Sequence, residues 1–353
     1  MSTKIPVAVF AATGSVGQRM VQLLDNHPWF EVVALTGSER GLGQPYGQVC
    51  RWLLAEPMPA WARTMIVQPT DPAAVQVPLA LSGLPADIAR TAEPLFAQAG
   101  TVICSNASAY RREADVPILL PEVNPDHASL VEVQRRQRGW TGGIVTNPNC
   151  TSTGLTVALK ALQLRFGLRK LFAVSLQALS GAGYPGVPSM DIIDNVIPYI
   201  GGEEEKVEWE PRKMLGTNTG SEIALADFTV SAHTNRVAVS DGHTLCASVA
   251  FESKPTVDEA VQVLAEYQTP AISRDLPSAP NPVIVLRSEA DRPQPRLDRG
   301  TGRGMATVVG RVRPDPLFDL KFVVLSHNTV RGAAGGSIFN AELLVKMGFV
   351  GKG

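Results

Sequence analysis

The chain lacks the features of a nucleic-acid-binding, membrane or secreted protein. Its 353 residues carry a formal net charge of −1, so there is no basic field to hold nucleic acid or an anionic membrane. No apolar run approaches the roughly 20 residues that span a bilayer. The first residues lack the long apolar region and the cleavage site of a signal peptide. We therefore expect a cytoplasmic protein that acts on small molecules, with no nucleic-acid or membrane partner.

Cysteine is also scarce. The four cysteines are Cys50, Cys104, Cys150 and Cys246, and they form no close pair and no metal-ligand spacing. We therefore expect free thiols in a reducing compartment and no bound metal. Cys50, Cys104 and Cys246 lie in or beside apolar or aromatic segments, where a buried and unreactive thiol is expected. Only Cys150 follows a polar turn.

What the chain does have is the composition of an ordered globular protein, with 44% hydrophobic and 18% charged residues and length enough for two domains. Strands are predicted at Val7–Phe10, Phe30–Leu35, Val77–Leu81, Thr101–Cys104, Ile118–Leu120 and Gly143–Thr146. Helices are predicted from Val16 to about Asn26, at Ala86–Gln98 and from Thr151 onward. This alternation predicts an α/β domain with a parallel sheet and crossover helices.

After about Pro148 the predicted strands become longer and the helices between them fewer. These strands are Phe172–Leu179, Phe228–Ala232, Thr244–Phe251, Val283–Leu286, Thr307–Val312 and Lys321–Ser326. They indicate an α+β domain at residues 149–328. Residues 1–148 are expected to form the first domain, completed by a C-terminal helix within residues 329–353. Segment Ser273–Arg303, rich in Pro, Arg and Asp, is expected to be a surface excursion around the Val283–Leu286 strand.

The turn after the first strand is Thr13-Gly14-Ser15-Val16-Gly17, and a helix follows it. Such a turn lets backbone amides and a helix N-terminus meet a pyrophosphate, which predicts a Rossmann-type dinucleotide-binding domain. Ala11 stands where the first glycine of the fingerprint is usual. Ser38 and Arg40, just beyond the second strand, suit a ribose 2′-phosphate and favour NADP, whereas Glu39 leaves NAD possible.

Cys150 is the candidate nucleophile. The turn Asn147–Asn149 places it at a helix N-terminus, where free amides and the helix dipole are expected to lower its pKa. A thiolate that attacks a carbonyl needs an acid or base partner. Of the five histidines, only His243 lies in a polar turn directly before a strand. The alternative is that His243 is an ordinary surface or core histidine, and the sequence spacing alone does not decide between the two roles.

Three motifs resemble aspartate-β-semialdehyde dehydrogenase, in particular its archaeal and fungal branch: Asn147–Thr151, Gln177–Gly186 and Asp241–Thr244. The likeness spans nearly the whole chain and includes Ser105–Ala107, Tyr110–Arg112, Pro121–Asn124, Asp194–Ile200, Gly202–Lys206 and His327–Gly335. It implies a glyceraldehyde-3-phosphate dehydrogenase-like fold, in which residues 149–328 form a catalytic and dimerisation domain. It also implies a homodimer or homotetramer.

The reaction that the resemblance implies is reversible and belongs to lysine, methionine and threonine biosynthesis. L-4-aspartyl phosphate is reduced with NADPH to L-aspartate 4-semialdehyde and phosphate. Cys150 would form a thioacyl intermediate, His243 would be the acid/base, and Gln177 would orient the acyl group.

The resemblance also implies the substrate contacts. Arg236 would clamp the α-carboxylate, Arg111 (or less readily Arg112) would bind the phosphate, and Asn149 would line the pocket. Glu210 would meet the α-ammonium and Lys213 the phosphate, although residues at i and i+3 are more often a surface ion pair. The Glu203–Glu205 run is expected to be a solvated face or a subunit contact.

The implied cofactor contacts are Thr13, Gly14, Ser15, Val16, Gly17, Ser38, Arg40, Ser82, Gly83, Ser180, Gly181 and Asn328. Three departures from the family pattern stand beside them. Ala11 replaces a glycine, Gly41–Gln44 replaces a Ser-Ala-Gly-Lys-like run, and His233 occupies a position where a smaller residue is commoner. These departures affect the cofactor preference and the substrate, whereas every predicted catalytic residue is present.

Two other functions remain open at this point. Malonyl-CoA reductases resemble the same branch and use the cysteine on a thioester, although Glu210 favours a substrate with an amino group. A non-catalytic nucleotide-binding regulatory protein is the second alternative. The presence of Cys150, Gln177, Arg236 and His243 disfavours it, because a sensor does not need a nucleophile and its base.

Overall fold

The computed structural model describes residues 4–350, so both predicted domain ends, residues 1–3 and 351–353, lie outside the described part. The N-terminal sheet consists of β1 (Ile5–Phe10), β2 (Phe30–Thr36), β3 (Val67–Gln68), β4 (Leu79–Ser82), β5 (Val102–Ser105) and β6 (Gly143–Thr146). Its helices are α1 (Ser15–Leu23), α2 (Tyr46–Val49), α3 (Ala60–Thr64), α4 (Ala86–Gln98) and α5 (Leu130–Arg138). The strands are parallel in the order β3-β2-β1-β4-β5-β6, which is the order of a Rossmann sheet.

The predicted strand Ile118–Leu120 is wrong, because the structure has only one bridge there, between Ile118 and Thr146. Pro117 and Pro121 flank the segment, and proline has no N–H to donate to a strand partner. The Leu120 N–H bonds to the Asn124 side chain at 2.8 Å, which turns the chain away from the sheet.

The C-terminal helix α12 (Gly335–Lys346) packs onto the first domain, as its apolar residues predict. Ile338, Phe339 and Leu343 share one buried cluster with Val7 and Leu79 of the N-terminal sheet. A single π-helical turn, Val330–Ala334, leads into α12. Such turns are rare and often occur at functional sites. The chain therefore returns to the first sheet through an irregular turn.

The second sheet is mixed, with the strand order β10-β7-β11-β14-β13-β12. Its strands are β7 (Leu168–Gln177), β10 (Thr229–Arg236), β11 (His243–Phe251), β12 (Ile284–Arg287), β13 (Thr307–Pro314) and β14 (Leu320–Ser326), and a small hairpin comprises β8 (Thr217–Asn218) and β9 (Ile223–Ala224). The helices are α6 (Cys150–Phe166), α7 (Ser189–Ile192), α8 (Glu203–Met214), α9 (Val257–Glu266), α10 (Ala271–Arg274) and α11 (Pro295–Asp298). Leu155 and Leu159 of α6 pack with Leu245 and Val249 of β11 on the inner face.

Part of the outer face of this sheet is exposed among residues 4–350. Side chains alternate along a strand, so the residues between the buried ones of β7 and β11 point outward. Cys246 is exposed there, which corrects the prediction of a buried thiol, whereas Cys50 and Cys104 are buried. Cys246 lies between Val174 and Val323 of the neighbouring strands.

The excursion predicted at Ser273–Arg303 surrounds its predicted strand, but part of it is buried. It contains β12 of the second sheet, and Ser278 bonds through its N–H and hydroxyl to the buried Glu342 of α12 at 3.0 and 2.6 Å. The segment therefore joins the second sheet to the C-terminal helix. Within residues 4–350, no helix is long and apolar enough to cross a membrane.

Candidate active site

Cys150 is the first residue of α6, directly after strand β6 and its polar turn. The Asn149 side chain caps the helix by accepting the Thr151 N–H at 2.9 Å. Cys150 Sγ lies 3.2 Å from His243 Nε2. The structure therefore brings together the two residues that were predicted to be nucleophile and acid/base.

His243 begins β11 and is fully buried. Its Nδ1 accepts the Ala178 N–H at 3.1 Å, so in the neutral ring the proton is on Nε2, the atom that faces the sulfur. Burial, with the nearby charge of Arg236 as the next cause, lowers the pKa of His243 to about 3. The imidazole is therefore neutral near pH 7 and can donate a hydrogen bond to sulfur or to a bound acyl oxygen.

The pKa of Cys150 moves in the direction opposite to the prediction. Burial, with the Glu203 carboxylate as the next cause, raises the pKa of the thiol to about 12, against the opposing charges of Arg111 and Arg236. The effect of a helix N-terminus is about 0.3–1 kcal/mol, less than one pKa unit, which is too small to reverse this. The free protein therefore holds a neutral thiol beside a neutral imidazole.

The cavity at Cys150 has a volume of about 350 Å³. It is lined by Ser15, Val16, Asn106, Ser108, Arg111, Pro148, Asn149, Cys150, Ser180, Gly181, Ala182, Gly183, Ile200, Glu203, Lys206, Arg236, Asn328, Thr329, Gly332 and Ala333. We call it the active-site cavity. It includes residues from both ends of the chain, because the π-helical turn before α12 lies against Cys150.

Glu203 and Lys206 are cavity residues that sequence reasoning missed. Glu203, expected on a solvated face or at a subunit contact, is buried inside the chain, and its carboxylate accepts both Asn149 Nδ2 (2.9 Å) and Gln177 Nε2 (3.3 Å). Lys206 Nζ bonds to the same carboxylate at 2.8 Å. The signal was present in the sequence, because Glu-x-x-Lys occurs twice on α8, seven residues apart, and so on one helix face.

The second pair of that pattern, Glu210 and Lys213, lies beneath the cavity wall. Both residues are buried, and neither lines the cavity. This placement differs from the expectation that they contact substrate directly. Glu203 and Lys206, two helical turns earlier on α8, line the cavity instead.

Arg236 ends β10 and lines the cavity as predicted. Its Nη1 donates to the Ala178 carbonyl at 2.7 Å. A Cβ at Gly181 would lie 2.9 Å from that Nη1 and 3.1 Å from the His243 ring, so this position has no room for a side chain. Arg236 and His243 therefore meet at one backbone turn.

Arg111 lines the cavity, whereas Arg112 does not. The Arg112 guanidinium instead lies 4.8 Å from the centre of the Trp209 ring. Of the two arginines that the sequence left open, Arg111 is therefore the one placed to meet a ligand phosphate.

The predicted cofactor loop has the form that a dinucleotide requires. No side chain caps the N-terminus of α1, so its free amides face the cavity at Ser15 and Val16. Ala11 has φ +53°, the left-handed conformation in which glycine is usual. A Cβ on Gly17 would lie 2.3 Å from the Ala11 carbonyl oxygen, so this glycine lets the helix approach the strand. These observations fit a pyrophosphate at α1.

The other predicted cofactor residues lie on several loops of the chain. Ser82 ends β4 and Gly83 follows it, and a Cβ on Gly83 would lie 3.3 Å from the Phe10 carbonyl oxygen. Asn328 links the two sides of the cavity: its Nδ2 donates to Ser180 Oγ at 2.8 Å and its Oδ1 accepts the Gly242 N–H at 2.8 Å. Thr13 and Gly14 lie in the loop before α1, and Gly181 lies beside Ser180. Ser38 and Arg40 are exposed beyond β2, away from the catalytic pair.

Among residues 4–350 there is no cluster of three His, Cys, Asp or Glu side chains that could hold a metal ion.

Comparison with known proteins agrees with this geometry. Residues 6–131 match the family described as semialdehyde dehydrogenase, NAD binding domain, and residues 159–331 match semialdehyde dehydrogenase, dimerisation domain. An aspartate-semialdehyde dehydrogenase of Archaeoglobus fulgidus is 53% identical over 340 residues, which covers 96% of this chain and 98% of that protein. One of Schizosaccharomyces pombe is 47% identical over 352 residues, covering 98% and 99%.

Solved structures give the same result. Aspartate semialdehyde dehydrogenase with NADP from Candida albicans matches with a TM-score of 0.90 at 42% identity, covering 99% of this chain and 100% of that one. Aspartate semialdehyde dehydrogenase II complexed with ASA from Vibrio cholerae matches with a TM-score of 0.76 at 27% identity, covering 98% and 99%. The predicted resemblance and fold are confirmed, and the chain belongs to the aspartate-semialdehyde dehydrogenase family.

Proposed function

We propose that this protein catalyses the reversible, NADP-dependent reductive dephosphorylation of L-4-aspartyl phosphate to L-aspartate 4-semialdehyde and phosphate. The observation that carries the proposal is the 3.2 Å contact between Cys150 Sγ and His243 Nε2 on a cavity that also holds two arginines. One arginine suits a carboxylate and the other a phosphate, since guanidinium binds both with paired hydrogen bonds.

Substrate recognition is proposed from the charges that line the cavity. Arg236 binds the α-carboxylate and Glu203 the α-ammonium, since Glu203 is the carboxylate that reaches the cavity beside Cys150. Arg111 and Lys206 bind the phosphate. Gln177 and Asn149 both bond to Glu203 and so hold it toward the ligand.

The first proposed step is acyl transfer to the nucleophile. Cys150 Sγ attacks the acyl carbon, the carbon–sulfur bond forms and the carbon–oxygen bond to phosphate breaks. The thiol proton leaves with the phosphate as hydrogen phosphate, which Arg111 and Lys206 stabilise. The product of this step is a thioester on Cys150.

The second proposed step reduces that thioester. Bound NADPH supplies hydride to the acyl carbon. His243 Nε2–H donates a hydrogen bond to the oxygen that becomes negative, and this oxyanion then reforms the carbonyl as the carbon–sulfur bond breaks. The aldehyde leaves, and the Cys150 thiolate takes up one proton from solvent. One hydride and one proton are consumed overall.

The cofactor preference rests on the loop after β2. Ser38 and Arg40 are exposed there and are proposed to bind the 2′-phosphate, while the free amides of α1 bind the pyrophosphate. NAD is accepted more weakly. The Candida albicans relative was solved with NADP.

The proposal also includes the domain organisation, the location and the assembly of the enzyme. We propose residues 1–148 with 329–353 as the dinucleotide-binding domain and 149–328 as the catalytic and dimerisation domain. A cytoplasmic homodimer or homotetramer is expected, with the outer face of the second sheet as its interface.

The test is phosphate-dependent reduction of NADP by purified protein with L-aspartate 4-semialdehyde, beside the same assay with NAD and beside malonyl-CoA with NADPH. Turnover that requires phosphate and the amino-bearing aldehyde supports the proposal and ranks the cofactors. Activity with the CoA thioester alone would move the substrate and keep Cys150. Folded protein that is silent in every assay would support a non-catalytic role.

A further inference from the structure

The second charged pair of α8, Glu210 and Lys213, is occupied by the protein itself. Glu210 Oε1 accepts Arg111 Nη1 at 2.8 Å, and Oε2 accepts the Asn149 N–H at 2.5 Å. Both carboxylate oxygens are therefore engaged beneath the cavity wall. The Asn149 N–H belongs to the residue before Cys150, so Glu210 contacts the nucleophile turn and Arg111 at once.

Lys213 is engaged in the same way. Its Nζ donates to the carbonyl oxygens of Arg111, Glu113 and Val116 at 2.8, 2.7 and 2.8 Å. An ammonium has three protons, so none is left for a ligand phosphate. These three bonds instead hold the loop that begins at Arg111.

Arg111 has donors to spare. A guanidinium carries five N–H donors, and two are used, by Glu210 and by the Asn106 carbonyl at 2.9 Å. The buried Arg111 Nε has no hydrogen-bond partner among residues 4–350, and an unpaired buried donor is costly. Since Arg111 lines the cavity, an anion there would satisfy it.

We propose that Glu210 and Lys213 are positioning residues that hold Arg111 in the phosphate site and touch no substrate. Glu210 orients the guanidinium, and Lys213 fixes the backbone that carries it. This inference rests on the proposed function, since it concerns the phosphate of that reaction. It predicts that changes at Glu210 affect phosphate and leave aldehyde recognition intact.

The test is Glu210→Gln, assayed in the NADP-reducing direction. In the amide an NH2 donor replaces one of the two carboxylate oxygens, so either Arg111 or the Asn149 N–H would face a donor in place of its acceptor. We expect the KM for phosphate to rise about tenfold or more while the KM for aspartate semialdehyde changes less than about twofold. Glu205→Gln, an exposed glutamate on the same helix, is the matched control and should leave both unchanged.

A double-mutant cycle shows whether Glu210 acts through Arg111. In an Arg111→Ala background, Glu210→Gln should change the phosphate KM by less than about twofold, because the group that it positions is gone. Full additivity, or a rise in the aldehyde KM in place of the phosphate KM, would overturn the assignment.

A binding measurement needs no turnover, so it can also be made on a variant that is too poorly folded to be active. It also distinguishes failure of the positioning role from failure of the proposed function. Phosphate should protect Cys150 of the wild type from iodoacetamide, and Glu210→Gln and Lys213→Met should both lose protection. If the wild type shows neither protection nor phosphate-dependent turnover, the proposed function fails and the positioning role with it. If the wild type shows both and the variants match it, the positioning role alone is wrong.

Discussion

At Cys150, two effects on the thiol oppose each other. The N-terminus of α6 favours a thiolate, whereas burial and the Glu203 carboxylate favour the thiol and hold the pKa at about 12. A reactive nucleophile is thus kept protonated until substrate arrives. The ammonium proposed to bind Glu203 would offset the charge that disfavours the thiolate.

This balance predicts the pH dependence of alkylation. Below its pKa a thiol gains about tenfold thiolate per pH unit, so inactivation of the free protein by iodoacetamide should accelerate about tenfold per unit from pH 7 to pH 10. Pseudo-first-order rates of activity loss at each pH measure it, and Cys150→Ser, labelled in parallel, reports the alkylation of the exposed Cys246. A plateau near neutral pH would mean that the helix N-terminus prevails.

The Glu203 carboxylate allows a second test of what sets the pKa of Cys150. Glu203→Gln removes the charge that raises the Cys150 pKa, so it should alkylate faster than the wild type at every pH below 10. Glu205→Gln, with its side chain exposed, should alkylate at the wild-type rate. Slower alkylation of Glu203→Gln would show that the carboxylate activates the thiol.

At the scale of the element, the sequence pattern predicted an element correctly wherever a single hydrophobic period or turn identified it. Helix α4 has the predicted bounds, and Cys150 begins a helix as its turn indicates. Helix α8 was different, because its two Glu-x-x-Lys pairs share one face and periodicity cannot say which turn reaches the cavity. The docking of α8 beside Asn149 decides it, and that contact joins residues 54 positions apart. Cys246 was mispredicted because an apolar strand can leave one face open.

The π-helical turn before α12 gives an element-scale prediction. A Cβ on Gly332 would lie 2.8 Å from Cys150 Cβ and 3.0 Å from Cys150 Cα, atoms that cannot move aside. Gly332→Ala should lower kcat about tenfold or more and destabilise the fold by about 1–3 kcal/mol. Steady-state kinetics and urea unfolding measure both. Gly300→Ala, where a Cβ meets nothing within 4 Å, is the control and should behave as wild type.

At the scale of the whole molecule, one buried ion pair joins distant parts of the chain. Arg331 and Glu122 are each 1% exposed, with Nε–Oε1 and Nη2–Oε2 distances of 2.7 and 2.6 Å. Glu122→Gln leaves the guanidinium buried without its counter-charge and should cost about 3–5 kcal/mol of unfolding free energy. Lys254→Met breaks an exposed pair and should cost less than about 1 kcal/mol. Equal losses of unfolding free energy for the two variants in urea denaturation would refute the distinction between the buried and the exposed pair.

The outer face of the second sheet carries the last prediction. Val174 lies between His233 of β10 and Cys246 of β11 on the outer face of the sheet, within the segment that matches a dimerisation domain. A carboxylate at Val174 would be buried unpaired if two copies meet there, which is strongly unfavourable. Val174→Glu should therefore reduce the light-scattering mass to that of one chain, 37.7 kDa. Val33→Glu, which charges an exposed apolar residue of β2, should leave the assembly intact. A Val174→Glu protein of unchanged mass would place the interface on another surface.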